Sequence, residues 1–115
     1  MNDDSPLRRI RDWPTFFEEV RWRPAMWLGR PSLACLRALL AGFALAEDLY
    51  AVGPERLLTG FPFVEFEAWV AQRFNPERLT LDSFGLAGRL TASDEAALSH
   101  WFGWYDDFNR GRGRT

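Results

Sequence analysis

The side chains that could carry chemistry in this chain are few. His100 is the only histidine and Cys35 the only cysteine. A catalytic histidine needs a nucleophile, a metal or an orienting carboxylate. Asp107 lies two helical turns further on and Glu95 sits on a poor diagonal, so His100 reads as a structural or solvated side chain on the flank of a helix. Cys35 falls in the most apolar run, where burial would keep its thiol protonated and inert. One histidine and one cysteine do not make a typical zinc site, and no metal or other cofactor is expected. The acidic pairs Glu18/Glu19, Glu47/Asp48 and Asp106/Asp107 are adjacent and point about 100° apart on a helix, and Glu65/Glu67, two residues apart, diverge further, so none is a convergent dyad and all four read as solvated helix faces. The segment GLAGRL, Gly85–Leu90, lacks the strand and the lysine of a phosphate-binding loop. These features argue against an enzyme.

Binding chemistry is better represented. Glu65, Trp69, Trp104, Asp106 and Asp107 combine ring area with negative charge, the composition expected at a protein interface. Trp69 falls beside the Phe66/Val70 line of its segment and Trp104 beside the Trp101/Tyr105 line. Each is either a core-edge ring or part of an exposed aromatic and acidic patch. These five residues are the candidate partner-binding surface.

The elements that must position them are helical. The stretch DWPTFFEEVRW opens a first helix, with Thr15 and Glu18 spaced as a capping box and Asp12 as a competing cap. Pro24 ends it. Gly29 can supply a left-handed turn, and Pro31 with Ser32 as N-cap opens a second helix, about Leu33 to Ala51. That helix is apolar nearly all round and should be central, contacted from several sides, with Gly53-Pro54 as its stop. Phe63, Phe66, Val70 and Phe74 mark a third helix, ended by Asn75-Pro76. Residues 77–91 are ambiguous: Ser83 could cap a short helical turn, which Gly85 and Gly88 weaken. Thr91 or Ser93 begins a last helix with the stripe Ala97, Leu98, Trp101, Phe102, Tyr105 and Phe108. The expected architecture is all-α, a compact bundle of four to five helices. A loose N-terminus over 1–11 precedes a single helical domain over 12–109, and a flexible Arg/Gly tail over 110–115 follows.

The bulk numbers fit one compact domain. The chain has 115 residues, of which 47% are hydrophobic, and its ten Phe and six Trp are more rings than so small a core can hide. The formal net charge is −2, which disfavours nucleic acid as the main partner. All 14 basic residues are arginine, each with a planar head suited to paired hydrogen bonds. A lone cysteine rules out a disulfide within the chain. The run from Leu33 to Ala46 carries Arg37 and falls short of the roughly 20 residues a membrane span needs. With no signal-like segment at the start, the expectation is a cytoplasmic protein without a membrane partner.

The segment RPAMWLGRPSLACLRALLAGF resembles an Arg-Pro-x-Met-Tyr-Leu-Gly…Ser-Leu-x-x-Leu…Gly-Tyr pattern found in small bacterial immunity proteins of contact-dependent inhibition and related polymorphic toxin systems. The matching positions are Arg23, Pro24, Met26, Leu28, Gly29, Ser32, Leu33, Leu36 and Gly42, with Trp27 and Phe43 in place of the tyrosines. The resemblance is detailed only over residues 21–43. It implies a non-enzymatic protein that binds one cognate toxin, through that toxin's C-terminal domain, and blocks it. A surface that meets toxins should vary with them, so the shared segment reads as scaffold. Pro24 breaks a helix, Met26, Trp27 and Leu28 plug the gap between helices, Gly29 turns, Ser32 caps, and Arg23 bonds free carbonyls at the first helix's end. The alternative is a small all-α adaptor or regulatory module that contacts nucleic acid through its arginines or contacts another protein.

Overall fold

The computed structural model describes residues 10–53 and 57–112. The expected loose N-terminus, up to residue 9, and the end of the Arg/Gly tail, from residue 113, lie outside the described residues. Among those described, the chain is all-α and contains no strand: α1 (Trp13–Trp22), α2 (Pro24–Leu28), α3 (Leu33–Leu49), α4 (Phe63–Phe74), α5 (Ser83–Leu90) and α6 (Asp94–Gly111). Six helices exceed the expected four to five. The surplus comes from α2, which is the Arg-Pro corner itself wound into a short helix, and from the 77–91 stretch, which supplies α5. The last helix also overruns its expected end at 109. Asp107 pairs with Arg110, and the Arg112 guanidinium lies 5.5 Å over the Phe108 ring, so the tail's first turn is tied down.

Contacts gather into two compact units. Of the described residues, the first holds those up to Arg30 together with those between Cys35 and Phe61; the second holds Pro31–Ala34 and those from Pro62 onward.

In the first unit, Asp12 and not Thr15 caps α1. Its carboxylate accepts the Thr15 backbone N–H at 2.8 Å and the Thr15 hydroxyl at 2.6 Å, and these two bonds, the hydroxyl's first, hold the Asp12 carboxyl below its ordinary value of 3.8. Phe16, Phe17 and Val20 are the buried side of α1. Phe16 meets Phe43 of α3 at 5.7 Å and Trp27 at 5.8 Å, both edge-on, and Phe17 meets Phe61. The Trp13 N–H donates to Thr59 at 2.8 Å, bringing the 57–61 segment back onto α1.

The corner is partly as expected. Gly29 sits at φ +83° and its N–H closes α2 on Ala25. Arg23, however, spends its guanidinium on the Glu19 carboxylate at 2.9 Å rather than on helix-end carbonyls, because a carboxylate one turn back is the stronger acceptor. Met26 does not plug the gap: it is 53% exposed. Trp27 takes that place, half-buried against Phe16, and its indole N–H is buried without an acceptor among the described residues.

Helix α3 is not the central helix its composition suggests. Leu36 is buried, and Leu39, Leu40 and Phe43 are half-buried, but Ala38, Ala41, Gly42, Leu45 and Leu49 face solvent. The rest of the unit is α1, short α2 and loop, which is enough to cover one side only. Cys35 is consequently half-buried rather than sealed. The helix ends two residues early, and the left-handed turn after it falls on Ala51 at φ +48° instead of Gly53.

In the second unit α4, α5 and α6 pack on one another. The stripe expected on the last helix is buried in full, and Phe66 and Val70 are buried on α4. Asp82, not Ser83, caps α5 by accepting the Gly85 N–H, which leaves Ser83 free to begin the helix. Of the two candidates for α6, Ser93 is the cap, accepting the Ala96 N–H. The α6 residue Asp94 reaches back to the start of α3: it accepts the Ser32 hydroxyl and the Ala34 N–H.

Two outcomes test this arrangement. Gly29→Val should destabilise the fold by about 1–3 kcal/mol in urea melts, although a Cβ there meets nothing within 4 Å, because the strain lies in the backbone. An unchanged melt would remove the left-handed corner. For Asp12, a lowered folded-state pKa means its contribution is complete above the ordinary carboxylate range and is lost as pH falls through the folded value. Asp12→Asn keeps a capping oxygen but cannot titrate, so its stability should fall less steeply than the parent's between about pH 5 and pH 2.

Candidate partner-binding site

The geometry of the second unit begins with a buried hydrogen-bond relay. Trp101 on α6 is fully enclosed, stacked on Phe84 at 5.2 Å and edge-on to Phe66 at 5.4 Å. Its indole N–H donates to the Ser83 hydroxyl at 2.8 Å. That hydroxyl donates in turn to Glu67 Oε2 at 2.6 Å, and the Ser83 N–H donates to Glu67 Oε1 at 2.8 Å. Glu67 is thus an internal acceptor facing α5, not a member of a solvated acidic face. Three helices are keyed together by one serine and one carboxylate.

The candidate surface separates on this frame. Trp104 is not an exposed ring: it is 4% exposed, stacked on Phe74 at 4.8 Å and touched edge-on by His100 at 4.8 Å. Its place one turn from both Trp101 and Phe108 puts it on the core stripe, a spacing the sequence already contained. Trp69 is the core-edge ring. It lies parallel to Phe66 at 6.3 Å and edge-on to Phe108 at 5.7 Å, with the Arg73 guanidinium 4.9 Å over its face. Both indoles lean on Phe74, which bridges them. Glu65 and Asp107 are exposed and Asp106 is half-buried.

An open depression of about 760 Å³ is lined by Phe74, Trp104, Gly103, His100 and Asp107, among others. Of the five candidate residues it brings together only Trp104 and Asp107. Glu65, Trp69 and Asp106 stand outside its lining. The sequence reading missed Phe74, His100 and Gly103 as contributors. Ser99, Gly103 and Asp107 succeed one another at one-turn spacing on α6, and His100 lies one turn before Gly103 and two before Asp107, so a helical projection of α6 would have placed them together. Phe74 comes from α4, and only the tertiary fold supplies it.

The arrangement offers an aromatic floor, a glycine that leaves room over it, and a rim carrying a carboxylate and an imidazole. Among the described residues, no group of three or more His, Cys, Asp or Glu is placed to hold a metal ion, and no helix is long and apolar enough to cross a membrane.

Ser83→Ala should cost about 1–3 kcal/mol, since it strands the enclosed Trp101 donor and the Glu67 Oε2 acceptor, while the backbone N–H of residue 83 keeps its bond to Glu67 Oε1. Asp107→Asn, at an exposed pair, should stay within about 0.5 kcal/mol. Chemical denaturation of the two variants side by side checks the contrast, and equal midpoints would contradict the relay. The chain matches no protein-family model, no curated protein and no solved structure.

Proposed function

We propose that this chain is an immunity-type protein that binds a cognate bacterial toxin and neutralises it by covering a surface the toxin needs. The pattern over residues 21–43 supplies the prior for this reading. The observation that carries it is the depression on α6: rigid ring surface beneath, open space above Gly103, and Asp107 at the rim. A projecting apolar or cationic side chain of a partner would find both an aromatic contact and a charge there. An acidic rim also suits a toxin with a basic cleft, because complementary charge raises the rate of encounter.

The proposed surface differs from the five residues read from sequence. Trp104 contributes floor rather than a protruding anchor, Asp107 keeps its part, and Phe74, His100 and Gly103 join them. Glu65, Trp69 and Asp106 lose their central place.

Gly103→Gln separates binding from folding. A Cβ at Gly103 meets nothing within 4 Å, and the residue is inside a helix, so glutamine should raise stability by several tenths of a kcal/mol while filling the depression. Co-expression with the C-terminal domain of a large secreted protein encoded beside this gene is the assay. The parent should restore growth. Gly103→Gln should lose protection and weaken calorimetric affinity roughly tenfold or more, about 1.4 kcal/mol, and Asp107→Arg should slow association. Full protection by both variants would move the surface elsewhere, and no protection by the parent would end the immunity reading for that toxin.

A further inference from the structure

The polar groups of the depression on α6 say which kind of side chain fits it. Of the described residues that line it, Asp107 alone carries a formal charge at neutral pH. Within the chain it pairs with Arg110, which meets Oδ1 and is not itself part of the lining. Oδ2 takes no bond from a described residue. Both side chains of the pair are more than half exposed, Arg110 to 71% and Asp107 to 52%, so the pair is weak and open to exchange. Thr91 is the other lining group whose hydrogen bonding is fixed. Its hydroxyl donates to the Ala87 carbonyl at 2.8 Å, so toward the depression it can only accept. Both oxygens ask for donors, and the carboxylate asks for positive charge.

We infer that the depression seats an arginine side chain projecting from the partner protein, with its guanidinium on Asp107 Oδ2 and its stem over Gly103. This rests on the toxin reading for the partner's identity and adds the chemical group by which the partner is held. Gly103 and Asp107 are one turn apart on the same side of α6, about 6 Å along its axis. A Cβ at Gly103 would meet nothing within 4 Å, which leaves a path for the three methylenes of the stem. Beside that path lies ring carbon: Phe74, half-buried, stacks on Trp104 at 4.8 Å.

A guanidinium suits this site better than an ammonium. It is planar, more weakly hydrated, and carries five N–H donors with no acceptor. Other rings of the same unit already carry such groups, Arg73 at 4.9 Å over Trp69 and Arg112 at 5.5 Å over Phe108. Arg110 acquires a part as well. It holds the same carboxylate from the next turn of α6, so it and the partner's arginine compete for one negative charge while their own charges repel. Arg110 therefore lowers the affinity of the seat.

The test uses the capped tripeptide acetyl-Gly-Arg-Gly-amide, titrated into the full chain and followed by the backbone amide resonances of Gly103 and Asp107. Both resonances should shift and saturate. Binding should weaken several-fold in Asp107→Asn and tighten several-fold in Arg110→Gln, and Gly103→Gln should abolish the response at Asp107. The same peptide with citrulline, which keeps the shape and loses the charge, should not bind, and the one with lysine should bind several-fold more weakly. Circular dichroism matching the parent's establishes that each variant is folded. Shifts that are absent or do not saturate, equal binding of the citrulline or lysine peptide, or an Arg110→Gln variant no tighter than the parent would overturn the arginine seat. No toxin enters these titrations, so their failure leaves the toxin reading standing, and a failure of protection in co-expression leaves the arginine seat standing.

Discussion

Trp101 is wholly enclosed, and its indole N–H would cost about 1–3 kcal/mol if it met no acceptor. Ser83 supplies one from the first residue of α5, and Glu67 on α4 supplies the next. Because a hydroxyl accepts along one direction and donates along another, these bonds fix separations among three helices at once, where ring packing alone would tolerate sliding. The aromatic contacts then follow: Phe84 and Phe66 flank Trp101, and Phe74 comes to rest on Trp104. Trp27 in the first unit shows the contrary case. It is a half-buried tryptophan whose indole N–H is buried without an acceptor among the described residues, so it contributes ring contact and little direction.

Much of the fold was legible because it rests on periodicity and punctuation. The stripe Ala97 to Phe108 and the pair Phe66/Val70 are buried as their spacing requires, and Gly29 takes the left-handed conformation its place at the corner suggested. What could not be read depends on neighbours. The apolar composition of α3 implies a covered helix, yet coverage depends on how much chain is available to lie over it. Arg23 and Glu67 were misplaced for a shared reason: the partner of a charged side chain is chosen by tertiary geometry, and both a solvated and a buried acceptor fit the same sequence. Asp12 over Thr15, and Asp82 over Ser83, follow from position: each aspartate stands just before the first turn, where its carboxylate accepts the N–H three residues on.

The candidate surface was half visible for the same reasons. Its acidic rim lies on a single helix and follows from spacing. Its floor is made where α4 meets α6, and no residue type announces that Phe74 will stack on Trp104. The consequence is a division of labour within α6. One side of the helix is committed to rings and the relay, and the adjoining side is held open by a glycine with a carboxylate next to it. A protein that must recognise one partner benefits from such a rigid backing, because little conformational entropy is lost when the surface is covered.

The contact between Asp94 and the start of α3 has a kinetic meaning. Ser32 and Ala34 are synthesised well before Asp94, whose carboxylate ties their hydroxyl and N–H from 62 and 60 positions further along. Until the last helix has been made, the opening turn of α3 has to leave those donors to water. Closing so large a loop is slow compared with winding a helix. The latch at Asp94 is therefore a late event on the folding path, and the apolar helix behind it spends the interval before its closure exposed to other nascent chains.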